Sequence, residues 1–149
     1  FEKAITENCI ELAKQIPADG EGASHLITID INGATNDQQA ECVARTVAAS
    51  ALVKTAVTGS DPNWGRIVSA AGYAGAEMDV SKTSLRLNGF LVFENGQPVE
   101  FDEKQVSRAL QNQFETLIEL TIGLGTGAAR HWTSDLTQEY VRFNSEYTT

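Results

Sequence analysis

With 149 residues, the chain is long enough to bury a core, and it makes one domain or one large piece of a bigger protein. Its 42% hydrophobic and 21% charged content belongs to a folded globular chain, not to a disordered or low-complexity one. Eleven Lys and Arg against twenty Asp and Glu give a net charge of −9, which repels phosphate backbones and anionic lipid and argues against nucleic-acid and membrane partners.

The opening segment FEKAITENCIELAKQI places Ile5, Cys9, Leu12 and Ile16 at helical spacing. It predicts an amphipathic helix, ended by Pro17, whose apolar stripe packs on something. ADGEGAS, residues 18–24, reads as a pliable loop around Glu21, and HLITIDING alternates Ile27, Ile29 and Ile31 as a strand. Thr35 and Gln38 have capping-box spacing and predict a helix to about Ser50. LVKTAV, residues 52–57, is β-branched and expected to be extended; Asp61 is the expected cap of the next helix, with Pro62 in its first turn. Ala70 and Ala71, with Gly65, Gly72 and Gly75, give that helix a small face suited to close packing.

Beyond residue 82 strands dominate: TSLRLNG, then FLVFE and QPVEF joined at the hairpin turn Asn95-Gly96. Asp102 and Gln105 cap a helix to about Asn112, ETLIELTIGLG reads as a strand, and GTGAARHW as a glycine-rich connection. The last segment is helical at its start, with Leu136, Tyr140, Val141 and Phe143 on one face. Helices and strands alternate without regular βαβ units, which predicts an α+β fold, helices packed on a mixed sheet.

Cys9 and Cys42 form no CxxC pair or disulfide framework and read as small core residues of a reducing compartment. The sequence has no eighteen-residue apolar run, secretory pattern or N-x-S/T acceptor, so the expected location is cytoplasmic. It opens at Phe1 without an initiator methionine, and an upstream segment is expected.

Four features compete for a functional role. His25 and His131 have no ligand-spaced partner and read as structural or surface residues, and no metal is expected. Gly123-x-Gly125-x-Gly127 follows a strand but lacks the spacing and the lysine of a phosphate loop, so a tight turn or close backbone approach is expected. Glu21, flanked by Gly20 and Gly22, can be presented to a substrate ammonium, although the residues alone favour a solvated turn acid. In SDPNWGRI, capping by Asp61 and packing by Trp64 explain half the string. Asn63 and Arg66 stay open between support and substrate contact.

The run LVKTAVTGSDPNWGRIVSAAGYAG, with DGEGASHLITIDINGA before it and SDLTQEYVRFNSEYTT at the end, closely resembles the ornithine acetyltransferase family, the bifunctional glutamate N-acetyltransferases of arginine biosynthesis. The resemblance implies ping-pong acetyl transfer from N-acetylornithine to glutamate, with acetyl-CoA as donor in some members and no covalent or metal cofactor. It implies self-cleavage into two chains, the second beginning with a nucleophilic threonine whose α-amine serves as base, and an oxyanion hole from the first. Matched motif by motif, it makes Glu21, Asn144 and Thr149 the substrate-binding residues. Glu21 would take the α-ammonium, Asn144 a carboxylate or ammonium, and Thr149 would add its hydroxyl or the terminal carboxylate. SDPNWGRI becomes the floor of the site, and Tyr140, Phe143 and Tyr147 would dock the C-terminus.

No segment resembles the family's cleavage motif. The chain, residues 1–149, is therefore expected to be the C-terminal part of the second subunit, with the nucleophile upstream of Phe1 and no activity alone. Its expected partners are the first (alpha) chain, the remainder of the beta chain and further copies of that pair in an oligomer. A non-catalytic amino-acid-binding or assembly module with the same fold is the alternative from another class. A related self-processing amidase or aminopeptidase is a third, but it leaves the C-terminal match unexplained.

Overall fold

The computed structural model describes residues 2–146. Its centre is a six-stranded mixed sheet in the order β4-β3-β2-β5-β1-β6. β1 (Leu26–Ala34) and β5 (Glu115–Thr121) are parallel neighbours, from Leu26 beside Glu115 to Asn32 beside Thr121. β6 (Gly127–Ser134) runs antiparallel to β1 on the outer edge. β2 (Ser84–Leu87), β3 (Phe90–Glu94) and the short β4 (Gln97–Pro98) extend the other side, all antiparallel. The α+β expectation holds.

The core lies on one sheet face. Ile27, Ile29 and Ile31 of β1 join Ile118 and Leu120 of β5 and Leu85 of β2, all essentially fully buried. Over them lie α2 (Asp37–Ala49), α4 (Trp64–Gly72) and α5 (Glu103–Asn112), contributing Val43, Val47, Ile67, Ala70, Val106 and Leu110. At roughly 1.5–3 kcal/mol per large aliphatic side chain, this layer dominates the fold's stability. α1 (Glu2–Ala18) lies on the reverse face. Its Lys14 pairs with Glu115 at 3.6 Å, and Thr28 donates to the same carboxylate at 2.5 Å.

Several local expectations are corrected. Pro17 sits inside the last turn of α1 and does not end it. No described α1 residue is buried; Ile5, Leu12 and Ile16 of the stripe are exposed, and so are both cysteines. Asn36, not Thr35, caps α2, its side chain accepting from the Gln39 amide at 2.9 Å. LVKTAV is not extended. It forms α3 (Ala51–Thr58), because Ser50 caps a new helix and Val53, Ala56 and Val57 bury its inner face, which outweighs β-branched propensity. GTGAARHW, expected as a connection, supplies β6 and carries His131.

The hairpin at Asn95-Gly96 is as expected, both residues having positive φ (51° and 79°). Asn88-Gly89 makes a second such turn between β2 and β3. Asp102 caps α5 through the amides of Lys104 and Gln105. Among the described residues, no helix is long and apolar enough to cross a membrane.

Candidate functional site

The expected site begins where α1 ends. The chain turns at Gly20, whose carbonyl accepts from the Ala23 amide at 2.9 Å, and carries Glu21 outward on an exposed loop. Gly22 follows in the left-handed region, φ +69°. Its carbonyl accepts a 2.6 Å hydrogen bond from the Thr137 hydroxyl, and that hydroxyl oxygen accepts from the Tyr140 amide at 3.1 Å. Thr137 thus caps α6 (Gln138–Glu146) while holding the loop against it.

One turn beyond Tyr140, Asn144 donates to the Tyr140 carbonyl at 2.9 Å and, more loosely, to the Glu21 carboxylate at 3.4 Å. Two of the three residues implied by the resemblance, 123 positions apart, therefore meet. Thr149 and Tyr147 lie outside the described residues. The aromatics expected to dock the terminus do not bury here: Tyr140 and Phe143 stay 44% and 40% exposed. Among the described residues, no Lys, Arg or His pairs with Glu21.

Beneath this pair lies a carboxylate that the sequence reading passed over. Asp135 is buried, with its side chain fully covered. Its Oδ1 accepts from the amides of Ser24 (2.8 Å) and His25 (3.0 Å). Its Oδ2 accepts from the hydroxyls of Ser24 (2.5 Å) and Thr58 (3.0 Å), with His25 Nδ1 at 3.3 Å. His25 is a structural residue here, as expected. The Thr-Gln-Glu opening of α6 is a readable cap signal at Thr137. An acid bonded across 111 positions has no local signature.

Burial alone would raise the Asp135 carboxyl, but the hydrogen bonds from Ser24, His25 and Thr58 outweigh it and hold it below its ordinary value of 3.8. His131 is also shifted down from 6.5, by burial first and then by the Arg45 charge. Both groups bind protons more readily in the unfolded chain. Their stabilisation is complete above the ordinary values and is lost as pH falls through the lower folded ones. Stability in urea titrations should therefore decline in two steps on acidification, beginning below 6.5 and again below 3.8. Asp135→Asn should shrink the lower step, to which Asp79, also held below 3.8 by its hydrogen bond from Ser81, contributes as well, and a stability that rises on acidification would contradict both assignments.

The SDPNWGRI string is occupied by structure. Asn63, not Asp61, caps α4, accepting from the Arg66 amide at 3.2 Å, while Asp61 accepts from Asn63 Nδ2 at 3.0 Å. Arg66 donates to the Leu52 carbonyl at 3.0 Å and so ties α4 to α3. Trp64 stacks on Phe93, ring centroids 5.2 Å apart. A Cβ at Gly72 or Gly75 would meet nothing within 4 Å, so the close-packing face narrows to Ala70 and Ala71. A cleft of about 480 Å³ opens beside the string, lined by Asp61, Pro62, Trp64, Pro98 and Phe101 among others. None of its lining residues belongs to the Glu21 loop or α6.

These observations define an α+β chain in which a glycine-flanked carboxylate, on the loop that leads from α1 into the mixed sheet, meets α6. The sequence matches the ArgJ family over residues 1–149, and the chain belongs to that family. It is 52% identical to the arginine biosynthesis bifunctional protein ArgJ of Rhodopirellula baltica and 48% identical to that of Dehalococcoides mccartyi, in each case over all of this chain and 36% of the relative. The crystal structure of the Bacillus halodurans arginine biosynthesis bifunctional protein argJ superposes with a TM-score of 0.94 at 39% identity, covering 97% of this chain and 68% of that one. The chain thus spans little more than a third of the curated relatives' length. The resemblance read from the three motifs is borne out.

Proposed function

We propose that the whole protein transfers an acetyl group from N-acetylornithine to glutamate, and that this chain supplies the part of the pocket that holds the amino-acid nitrogen. The observation that carries this reading is the pairing of Glu21, free of any described cation, with Asn144. An exposed carboxylate flanked by glycines, with no bulky neighbour in the chain, suits a nitrogen that changes charge during the reaction.

In the proposed cycle, a threonine hydroxyl elsewhere in the protein adds to the acetyl carbonyl, passing its proton to its own α-amine. Oxyanion donors outside this chain stabilise the tetrahedral adduct. As the adduct collapses, the C–N bond breaks, the nitrogen takes that proton, and ornithine leaves an acetyl-threonine ester. Glutamate's neutral amine then attacks the ester, the C–O bond breaks, and the amine's proton passes through the threonine α-amine to the leaving oxygen, which gives N-acetylglutamate and restores the hydroxyl. Glu21 accepts an N–H hydrogen bond from the nitrogen in both halves, which favours proton uptake as ornithine leaves and holds the amine of glutamate in place, and the Asn144 carboxamide orients it. Acetyl-CoA as an alternative acyl donor fits the same ester intermediate, and no other cofactor is needed.

The test is acetyl exchange by the full-length protein. N-acetylornithine and glutamate alone should yield ornithine and N-acetylglutamate. Glu21→Gln should raise KM for both amino acids by roughly ten- to a hundredfold, the loss of one charge-assisted hydrogen bond. A wild-type protein without exchange, or a variant with both KM values unchanged, would return Glu21 to a solvated turn.

A further inference from the structure

We infer that Asp135 is a positioning residue for substrate binding, acting through the Glu21 loop; this rests on the function proposed above. The first and last residues of the three-residue passage from β6 into α6, Asp135 and Thr137, grip successive parts of that loop. Asp135 holds Ser24 and His25 by their amides, and Thr137 holds Gly22 by its carbonyl. The Thr58 hydroxyl reaches Asp135 Oδ2 and the Leu136 carbonyl (2.9 Å), which fastens the same junction to the end of α3. The distance from Glu21 to Asn144 is therefore set by the passage, because loop and helix share it as their anchor.

The chemistry of the anchor supports this assignment. A buried carboxylate without Lys or Arg is costly, and a well-packed apolar side chain fills such a space at less cost to the fold. Here the described donors are two backbone amides, two hydroxyls and one imidazole, and they come from the substrate loop and α3. Such a centre fixes direction, since each donor has its own place around two oxygens. The result is a loop that is exposed at Glu21 yet fixed three residues later.

The experiment is a double-mutant cycle in the full-length protein. Asp135→Asn should raise KM for N-acetylornithine and glutamate at least about tenfold with kcat changed less than about threefold. In a Glu21→Gln background the same change should add almost nothing, because the group it positions is already disabled. Thr137→Val should reproduce the KM effect, and Thr137→Ser should restore it. Hydrogen exchange supplies a readout independent of turnover: Asp135→Asn should speed exchange at the amides of residues 22–25 at least about tenfold and leave those of Ile27–Ile31 unchanged. Equal KM losses in both backgrounds would overturn the inference, as would unchanged loop exchange or opening of β1 along with the loop. Should the wild-type protein show no acetyl exchange, the function reading fails by itself, and the exchange pattern still decides whether Asp135 fixes the loop.

Discussion

Replacing Gly127 with alanine is expected to prevent stable folding. A Cβ at Gly127 would run into the carbonyl carbon and oxygen of Asn36 and lie 2.6 Å from its Cα. All three are backbone atoms of the residue that caps α2, so no side-chain rotation relieves the contact. Gly127 also pairs with Ala34 at the irregularity where β1 ends, and the next amide, Ala128, donates to Asp37 at 2.9 Å. Moving either chain would break the edge pairing and the first turn of α2 together. A cost of roughly 4 kcal/mol or more is expected, a large share of a total stability of about 5–15 kcal/mol. The measurement is the thermal midpoint of the full-length variant beside wild type. An unchanged midpoint would show that β6 does not approach Asn36 as described.

The second large effect concerns activity. Gly22→Ala should lower kcat/KM for acetyl exchange by at least about a hundredfold, equivalent to about 2.7 kcal/mol. The added Cβ would lie 2.7 Å from the Tyr140 amide nitrogen and 3.0 Å from its Cα, at a φ of +69° that L-residues adopt only with strain. Loop and helix must then separate, and Glu21 and Asn144 part with them. Folding should suffer less, because α6 buries none of its described residues. Kinetics and circular dichroism on one preparation check this. Wild-type kcat/KM would show that the close approach of loop and helix is not needed for binding.

Some of this was legible in the sequence and some was not. The alternating isoleucines of β1, the Asn95-Gly96 turn and the Asp102 cap follow from local rules, and the structure keeps them. Caps at Asn36 and Asn63 each stood one or two positions from another good capping residue, Thr35 and Asp61, and only backbone geometry chooses between such neighbours. LVKTAV misled because propensity is weak beside the burial of Val53 and Val57, and GTGAARHW because its glycines serve a close approach and do not break the strand. The exposed stripe of α1 shows the opposite limit: periodicity marks an apolar face without saying what covers it. Glu21 and Asn144 came through the family resemblance, and the residue that anchors their elements, Asp135, lacked any such pointer.

The central claim is that Glu21 and Asn144 together receive the amino-acid nitrogen, and a crystal structure of the full-length protein with ornithine tests it most directly. An ornithine amino group is expected within about 2.7–3.2 Å of a Glu21 carboxylate oxygen, with the Asn144 side chain in hydrogen-bond reach of the same molecule. Ornithine lodged elsewhere, for example in the cleft between Asp61 and Phe101, with Glu21 left facing water, would contradict it.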